Sequence, residues 1–198
     1  MSTPRLRTTP WSEVRSRLRV VERSTESFPA GIEAEGYTIG DIVLTHTDGV
    51  GGLVVRWGQR LRFHGPRRRF AQWNHCALIV SDKGDLVEAL PRTGATRSHL
   101  NKYLPRERTI IRTRTHDLDQ GEILQFADRI VGEPYGWLCD FFVFLGYLTG
   151  NLLNVSVQHQ VMCSELVARA QERSGTYFPR LPQSMAPGDI AEFYGVPD

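Results

Sequence analysis

"HCALIVSDKGDLVEAL", His75 to Leu90, is the most legible stretch of the chain. Two β-rich runs flank "SDKGD", a cluster of turn residues, and that pattern predicts an antiparallel hairpin. A two-residue turn at either Asp82-Lys83 or Lys83-Gly84 preserves strand parity, so either places His75 and Glu88 on one sheet face. A three-residue loop with a bulge at Gly84 would break that placement. Glu88 lies within the apolar run "LVEAL", where a carboxylate without a partner is costly. Beside His75 it would hold the imidazole by its second nitrogen and fix the tautomer. Alternation turns Cys76 to the face opposite His75, which makes it a poor candidate nucleophile.

Outward from the hairpin, helical and extended patterns mix. Upstream, "GDIVLTHTDG" carries a short strand, Ile42 to Thr45, and then a turn. In "GLVVRWGQRL", residues Leu53, Val54, Trp57 and Leu61 have helical spacing, and "RFHGPRRRF" reads as a basic loop. Downstream, "RTIIRTRTH" alternates as a strand. "DLDQGEILQFADRIVG" is a helix with Leu118, Ile123, Phe126, Ala127 and Ile130 inward and Gly132 as its stop. "PYGWLCDFFVFLGYLTG" reads as an apolar helix. "CSELVARAQERSG" reads as a short amphipathic helix that opens at Cys163 and ends at Gly175, and "PRLPQSMAPGDIAEFYG" as a Pro-rich closing segment. Hairpin strands grouped in mid-chain, with helices around them, indicate an α+β fold rather than a doubly wound sheet.

The 198 residues fit one domain with an appendage. Hydrophobic residues make up 40% and charged residues 23%, enough for a packed core. The net charge is only +2, but it is unevenly spread, with six arginines in residues 1–24 and six more, without an acid, in residues 56–69. Residues 10–24 have the spacing of a basic amphipathic helix: Thr9 caps it, Pro10 suits its first position, and Trp11, Val14, Leu18 and Val21 share a face. "STESFPAGIEAEGYTIG" then reads as a linker. The expected organisation is an arm and linker over residues 1–30 and a catalytic domain over residues 31–198. Three cysteines argue against a disulfide framework and fit a reducing compartment. The N-terminus lacks an apolar signal region, and the run "FFVFLGYL" falls short of the roughly 20 residues that span a bilayer. The expected location is therefore cytoplasmic, or delivery without a signal peptide, as in a virion-associated protein.

Cys163 heads a helix, where unpaired amides and the helix dipole favour a thiolate. The same amides can receive an oxyanion. His75 is the best-placed base among six histidines, and Cys139, in an apolar run, reads as core. No cofactor or metal is called for. The Arg67–Arg69 loop reads either as a solvated loop or as a rim that attracts an anionic substrate. Six arginines with Phe63 and Phe70 could grip phosphates, but no nucleic-acid reader motif accompanies them.

In order, "GDIVLTHTDG", "WNHCALIVSDKGDLVEAL", "VGEPYGW" and "MCSELV" resemble the circularly permuted NlpC-type, papain-like cysteine hydrolases, the YiiX/YebB-like group, with lecithin:retinol acyltransferase-like proteins as more distant relatives. The match runs from about Gly40 to Gly175. The resemblance implies a permuted papain-like fold, in which a small antiparallel sheet packs against the nucleophile-bearing helix. It implies Cys163 as nucleophile, His75 as general base, Glu88 as orienting residue and Tyr135 as a substrate-lining residue. There are departures: Gly136 replaces the family's aspartate, Cys76 replaces a small or aliphatic residue, and about 28 residues separate Tyr135 from Cys163. The excess is the apolar segment 141–154, which reads as extra core, a roof, or an acyl-chain contact. The expected activity is amide hydrolysis through an acyl-enzyme, with cell-wall peptides as candidate substrates. Two alternatives stand beside it. One is a lipid or acyl-ester hydrolase or acyltransferase, with peripheral membrane contact. The other is an assembly component, for example of a phage particle, that docks on a protein partner through residues 10–24.

Overall fold

The computed structural model describes residues 24–47, 49–113, 117–136 and 160–196. The helix expected over residues 10–24 lies outside them up to residue 23. Most of the apolar helix after Pro134, Cys139 and the whole segment 141–154 lie outside them too. The described chain is mixed α+β, built on one six-stranded sheet: β1 (Ser24–Phe28), β2 (Ile42–Thr45), β3 (His75–Ile79), β4 (Asp85–Leu90), β5 (Gly94–His99) and β6 (Arg108–Arg112). The strand order is β1-β6-β2-β3-β4-β5, and every neighbouring pair is antiparallel. Four α-helices accompany it among the described residues: α1 (Val50–Arg62), α2 (Asp117–Ile130), α3 (Cys163–Arg173) and α4 (Pro187–Tyr194).

Alternation along the central strands makes two cores. Ile42, Leu44, Cys76, Leu78, Val87 and Ala89 face the helices, where Ile123, Phe126 and Ala127 of α2 and Leu166, Val167 and Ala170 of α3 pack on them. Val43, Ala77, Ile79, Leu86 and Ile110 face the other way, against Ala34, Leu100 and Tyr103. Burial on both faces explains why "IVLT" and "HCALI" are apolar throughout rather than alternating.

The β3–β4 hairpin has the register of a turn centred on Asp82-Lys83, since Ile79 pairs with Leu86 and Leu78 with Val87. It closes with a two-residue turn at Asp82-Lys83: Gly84 N–H donates to the Ser81 carbonyl at 3.4 Å, and behind it Val80 N–H donates to the Asp85 carbonyl at 2.8 Å. Ser81 Oγ stabilises the loop by accepting from the backbone N–H groups of Lys83 and Asp85. An even loop keeps the parity on which the placement of His75 and Glu88 depends.

Four stretches differ from the sequence reading. The stretch read as linker supplies edge strand β1, whose residues pair with β6 from Ser24↔Arg112 to Phe28↔Arg108. "GATRSH", read as part of no element, is β5, held because Ala95 N–H donates to the Glu133 carbonyl as well as pairing with β4. The basic loop is a 3₁₀ helix over Gly65–Gln72, and the closing segment contains α4 after Pro187 at its first position. The apolar stripe of α1 faces outward, with Leu53 62% and Trp57 55% exposed, while Gln59 is buried. Gln59 Nε2 donates to the Trp73 carbonyl at 2.7 Å and its Oε1 accepts from Gly188 N–H at 2.6 Å, tying α1 to β3 and α4.

Candidate active site

Two pieces of chain meet at one end of the sheet. The first is the start of β3. Asn74 clamps the end of β2 there: its Oδ1 accepts from Thr47 N–H at 2.7 Å and its Nδ2 donates to the Thr47 carbonyl at 2.9 Å. Trp73 stacks on His46 with ring centroids 4.9 Å apart. The "WN" before His75 therefore fixes where the strand begins. The second is the start of α3. Val161 N–H donates to the Pro134 carbonyl and Gly136 N–H to the Val161 carbonyl, so Tyr135 bridges Val161 in parallel. Tyr135 is half-buried against the main core, beside the strand that leads into Cys163.

The residues after Cys163 hold the helix start in place. Ser164 Oγ donates to the Met185 carbonyl at 2.6 Å. Glu165 accepts from Met162 N–H at 3.4 Å and pairs with Arg169 at 2.7 Å. The first intrahelical bond runs from Leu166 N–H to the Met162 carbonyl. The N–H groups ahead of it in the first turn have no intrahelical acceptor.

His75 and Glu88 come together. His75 Nε2 donates to Glu88 Oε2 at 2.8 Å, both side chains being almost wholly buried. Three further donors saturate the carboxylate: Tyr103 Oη on the same oxygen, and Ser98 Oγ and Lys102 Nζ on Oε1. With Nε2 engaged, Nδ1 is the ring nitrogen left for the Cys163 sulfur, which lies within reach of the imidazole.

The shared face of His75 and Glu88 is not the one that α3 covers. By alternation they belong with Ala77, Ile79 and Leu86, on the Tyr103 side. His75 meets Cys163 because it is the first residue of β3, at the sheet's end. The β3–β4 ladder pairs Leu78 and Ile79 but does not extend to Cys76 and His75. Cys76 does point away from His75, and for that very reason it faces α3 and lies beside Cys163.

The electrostatics follow. Burial would lower the His75 pKa, but Cys163 and Glu88 outweigh it and raise it to about 9. Burial would raise that of Glu88, but His75 and Lys102 bring it down to about 2. Cys163 is held well below an ordinary thiol, first by the Cys76 thiol and then, against burial, by His75 and the Cys76 N–H. Cys76 is pushed well up, by burial and by its neighbour Cys163. Burial and the Glu88 charge likewise raise Tyr103, which stays a phenol donor. The arrangement can hold a thiolate–imidazolium pair at neutral pH, with a carboxylate behind the imidazole.

Sequence reasoning missed Ser98, Lys102, Tyr103 and the part played by Cys76. The first three act on Glu88 from β5 and the turn after it, so only a correctly paired β5 could have revealed them. Of the Arg67–Arg69 loop, Arg67 is spent on a two-pronged ion pair with Glu192 of α4, and Arg69 lies over the Phe70 ring. Among the described residues no cluster of histidine, cysteine and acidic side chains could hold a metal ion. Nor is any described helix long and apolar enough to cross a membrane. Among known proteins, no family model matches the chain and no curated protein matches it in sequence.

Proposed function

We propose that the protein is a cysteine-dependent hydrolase of permuted papain-like fold that cleaves an amide through an acyl-enzyme. The observation that carries this reading is a cysteine at the start of a helix, Cys163, beside an imidazole whose far nitrogen is bonded to a buried, fully partnered carboxylate. A structural ion pair has no need of a sulfur anion at a helix start. In the reaction, the Cys163 thiolate attacks the carbonyl carbon, and the oxyanion is received by N–H groups of the first turn of α3. His75 gives its proton to the leaving nitrogen as the C–N bond breaks. It then takes a proton from water, which attacks the thioester and releases the acid. Glu88 keeps the ring oriented throughout and stabilises its cationic form. Tyr135, whose backbone bridges Val161 ahead of the helix, is assigned the contact with substrate.

A second reading, an acyl ester as substrate, draws on the outward apolar stripe of α1. Leu53, Val54 and Trp57 are exposed on the helix that follows β2, the partner strand of β3. Such a surface suits an acyl chain or a lipid surface better than a polar peptide. The test compares wild type with Cys163→Ala on muropeptides and on short-chain acyl esters. Release from muropeptides that vanishes in the variant supports the amidase; release from esters alone sinks it. No turnover of either, with a Cys163 that alkylates like an ordinary thiol, would overturn the hydrolase reading altogether.

A further inference from the structure

Cys76 is a buried thiol that hydrolysis does not use as a nucleophile. It is fully buried on the helix-covered face of β3, in the same core as Leu78, Leu166 and Val167. It and Cys163 are both free thiols. Its sulfur and its backbone N–H both lie against the Cys163 sulfur. An aliphatic side chain would fill this place in the core equally well. A second sulfur against the first adds a chemistry that an aliphatic group lacks.

We propose that Cys76 is a resolving thiol, which converts a peroxide-oxidised Cys163 into a Cys76–Cys163 disulfide and so switches the site off reversibly. The proposal rests on the reading of Cys163 as a reactive thiolate. In the first step the thiolate attacks the terminal oxygen of a hydroperoxide. The O–O bond breaks, Cys163 becomes a sulfenic acid, and the departing alkoxide or hydroxide takes the proton of the His75 imidazolium. In the second step the Cys76 sulfur attacks the Cys163 sulfur. The S–S bond forms, the S–O bond breaks, and the Cys76 proton goes to the leaving hydroxide, which departs as water. Two thiols and one hydroperoxide thus give one disulfide, one alcohol or water, and one water.

Charge sets the order of events. While Cys163 is anionic, a second anion beside it is strongly disfavoured, so Cys76 stays protonated and inert. Oxidation makes Cys163 neutral and removes that repulsion, so Cys76 becomes a nucleophile only when one is needed. Sulfenic acid that is not captured goes on to the sulfinic acid, which thiols do not reverse.

The experiment treats the full chain with one equivalent of hydrogen peroxide, blocks residual thiols, and maps linked peptides by mass spectrometry. The expected product is a Cys76–Cys163 peptide two hydrogens lighter than the reduced pair. Iodoacetamide labelling of Cys163 should be lost and should return fully with dithiothreitol. With peroxide in excess, Cys76→Ala should accumulate Cys163 sulfinic acid and fail to recover, while the wild type stops at the disulfide. Sulfinic acid forming in the wild type as fast as in Cys76→Ala would overturn the proposal, and so would a Cys163–Cys139 linkage. Labelling of the reduced protein separates the two readings. A Cys163 that alkylates readily near neutral pH but never links to Cys76 sinks this inference alone. A Cys163 that does not alkylate sinks the nucleophile reading first.

Discussion

At the scale of single residues, the site works by stacking opposite charges in a dry place. Glu88 has no exposed surface, yet it stays ionised because four side chains donate to it. Its charge makes an imidazolium at His75 favourable, and that cation in turn favours a thiolate at Cys163. Because these groups titrate as a set, the measurable quantities are the pKa values of the pair. The rate of Cys163 alkylation is expected to plateau well below the ordinary thiol range of about 8.5. In His75→Ala and in Cys76→Ala its midpoint should move upward. An unmoved midpoint in Cys76→Ala would mean that its thiol does not stabilise the anion. Hydrolysis should fall off above pH 9, as the imidazolium is lost. Tyr103→Phe removes one donor from Glu88 Oε2 and should cost about 1–3 kcal/mol of stability. It should also lower the alkaline limb, since a less well-held carboxylate supports the imidazolium less. A stability loss with an unmoved limb would make Tyr103 a packing residue only.

At the scale of elements, the site depends on a junction that brings α1, β2 and β3 to one point. Gly52 in the first turn of α1 lies so close to the Thr47–Asn74 clamp that a Cβ there would stand 2.4 Å from the Thr47 carbonyl oxygen and 2.7 Å from Asn74 Nδ2. Gly52→Ala must therefore push the clamp aside, at a cost of about 1–3 kcal/mol. The displaced Asn74 precedes His75, so Cys163 alkylation at pH 7 should slow as well. Retained reactivity with reduced stability would show that the clamp supports the fold without positioning the imidazole. This junction also marks where the sequence stops being legible. The hairpin was readable because both strands and their turn are local, and "SDKGD" preserves parity with a two-residue turn at either of its two places. The pairing of His75 with Glu88 followed from that. The face on which the pair sits did not, since β2 and β3 are apolar on both sides and their pattern cannot say which side the helices cover. Strands β1 and β5 went unread because edge strands rich in Ser, Thr and Arg have no apolar alternation to betray them. With β5 unread, the donors that keep Glu88 charged were out of sight.

At the scale of the whole molecule, the charged set at the sheet's end makes folding depend on pH in a way that ordinary surface charge does not. The His75 pKa is raised on folding, from 6.5 to about 9. Its contribution is fully present below pH 6.5 and is lost as pH rises through about 9. Glu88 is depressed from 4.5 to about 2, so its contribution is present above pH 4.5 and is lost as pH falls through about 2. The Cys163 thiol is depressed on folding too, so its contribution grows as pH rises towards the ordinary thiol range and runs against that of His75. A shift of His75 from 6.5 to about 9 is worth on the order of 3 kcal/mol, shared with its partners. That is a large part of the net stability of a domain, roughly 5–15 kcal/mol. Thermal unfolding of the wild type should therefore show its highest Tm between about pH 6.5 and 8.5, where the His75 loss and the Cys163 gain offset one another, and a lower Tm on either side. Glu88→Ala should lower stability at pH 6 by about 3–5 kcal/mol, because it leaves an imidazolium buried beside Lys102 without its counter-charge. Glu88→Gln keeps the shape and removes only the charge, so it should flatten the pH dependence between 6 and 9.5 with a smaller loss at pH 6. A Glu88→Gln variant that keeps the full wild-type profile would show that the profile arises elsewhere. The carboxylate would then be a hydrogen-bonding scaffold rather than the charge that sustains the pair.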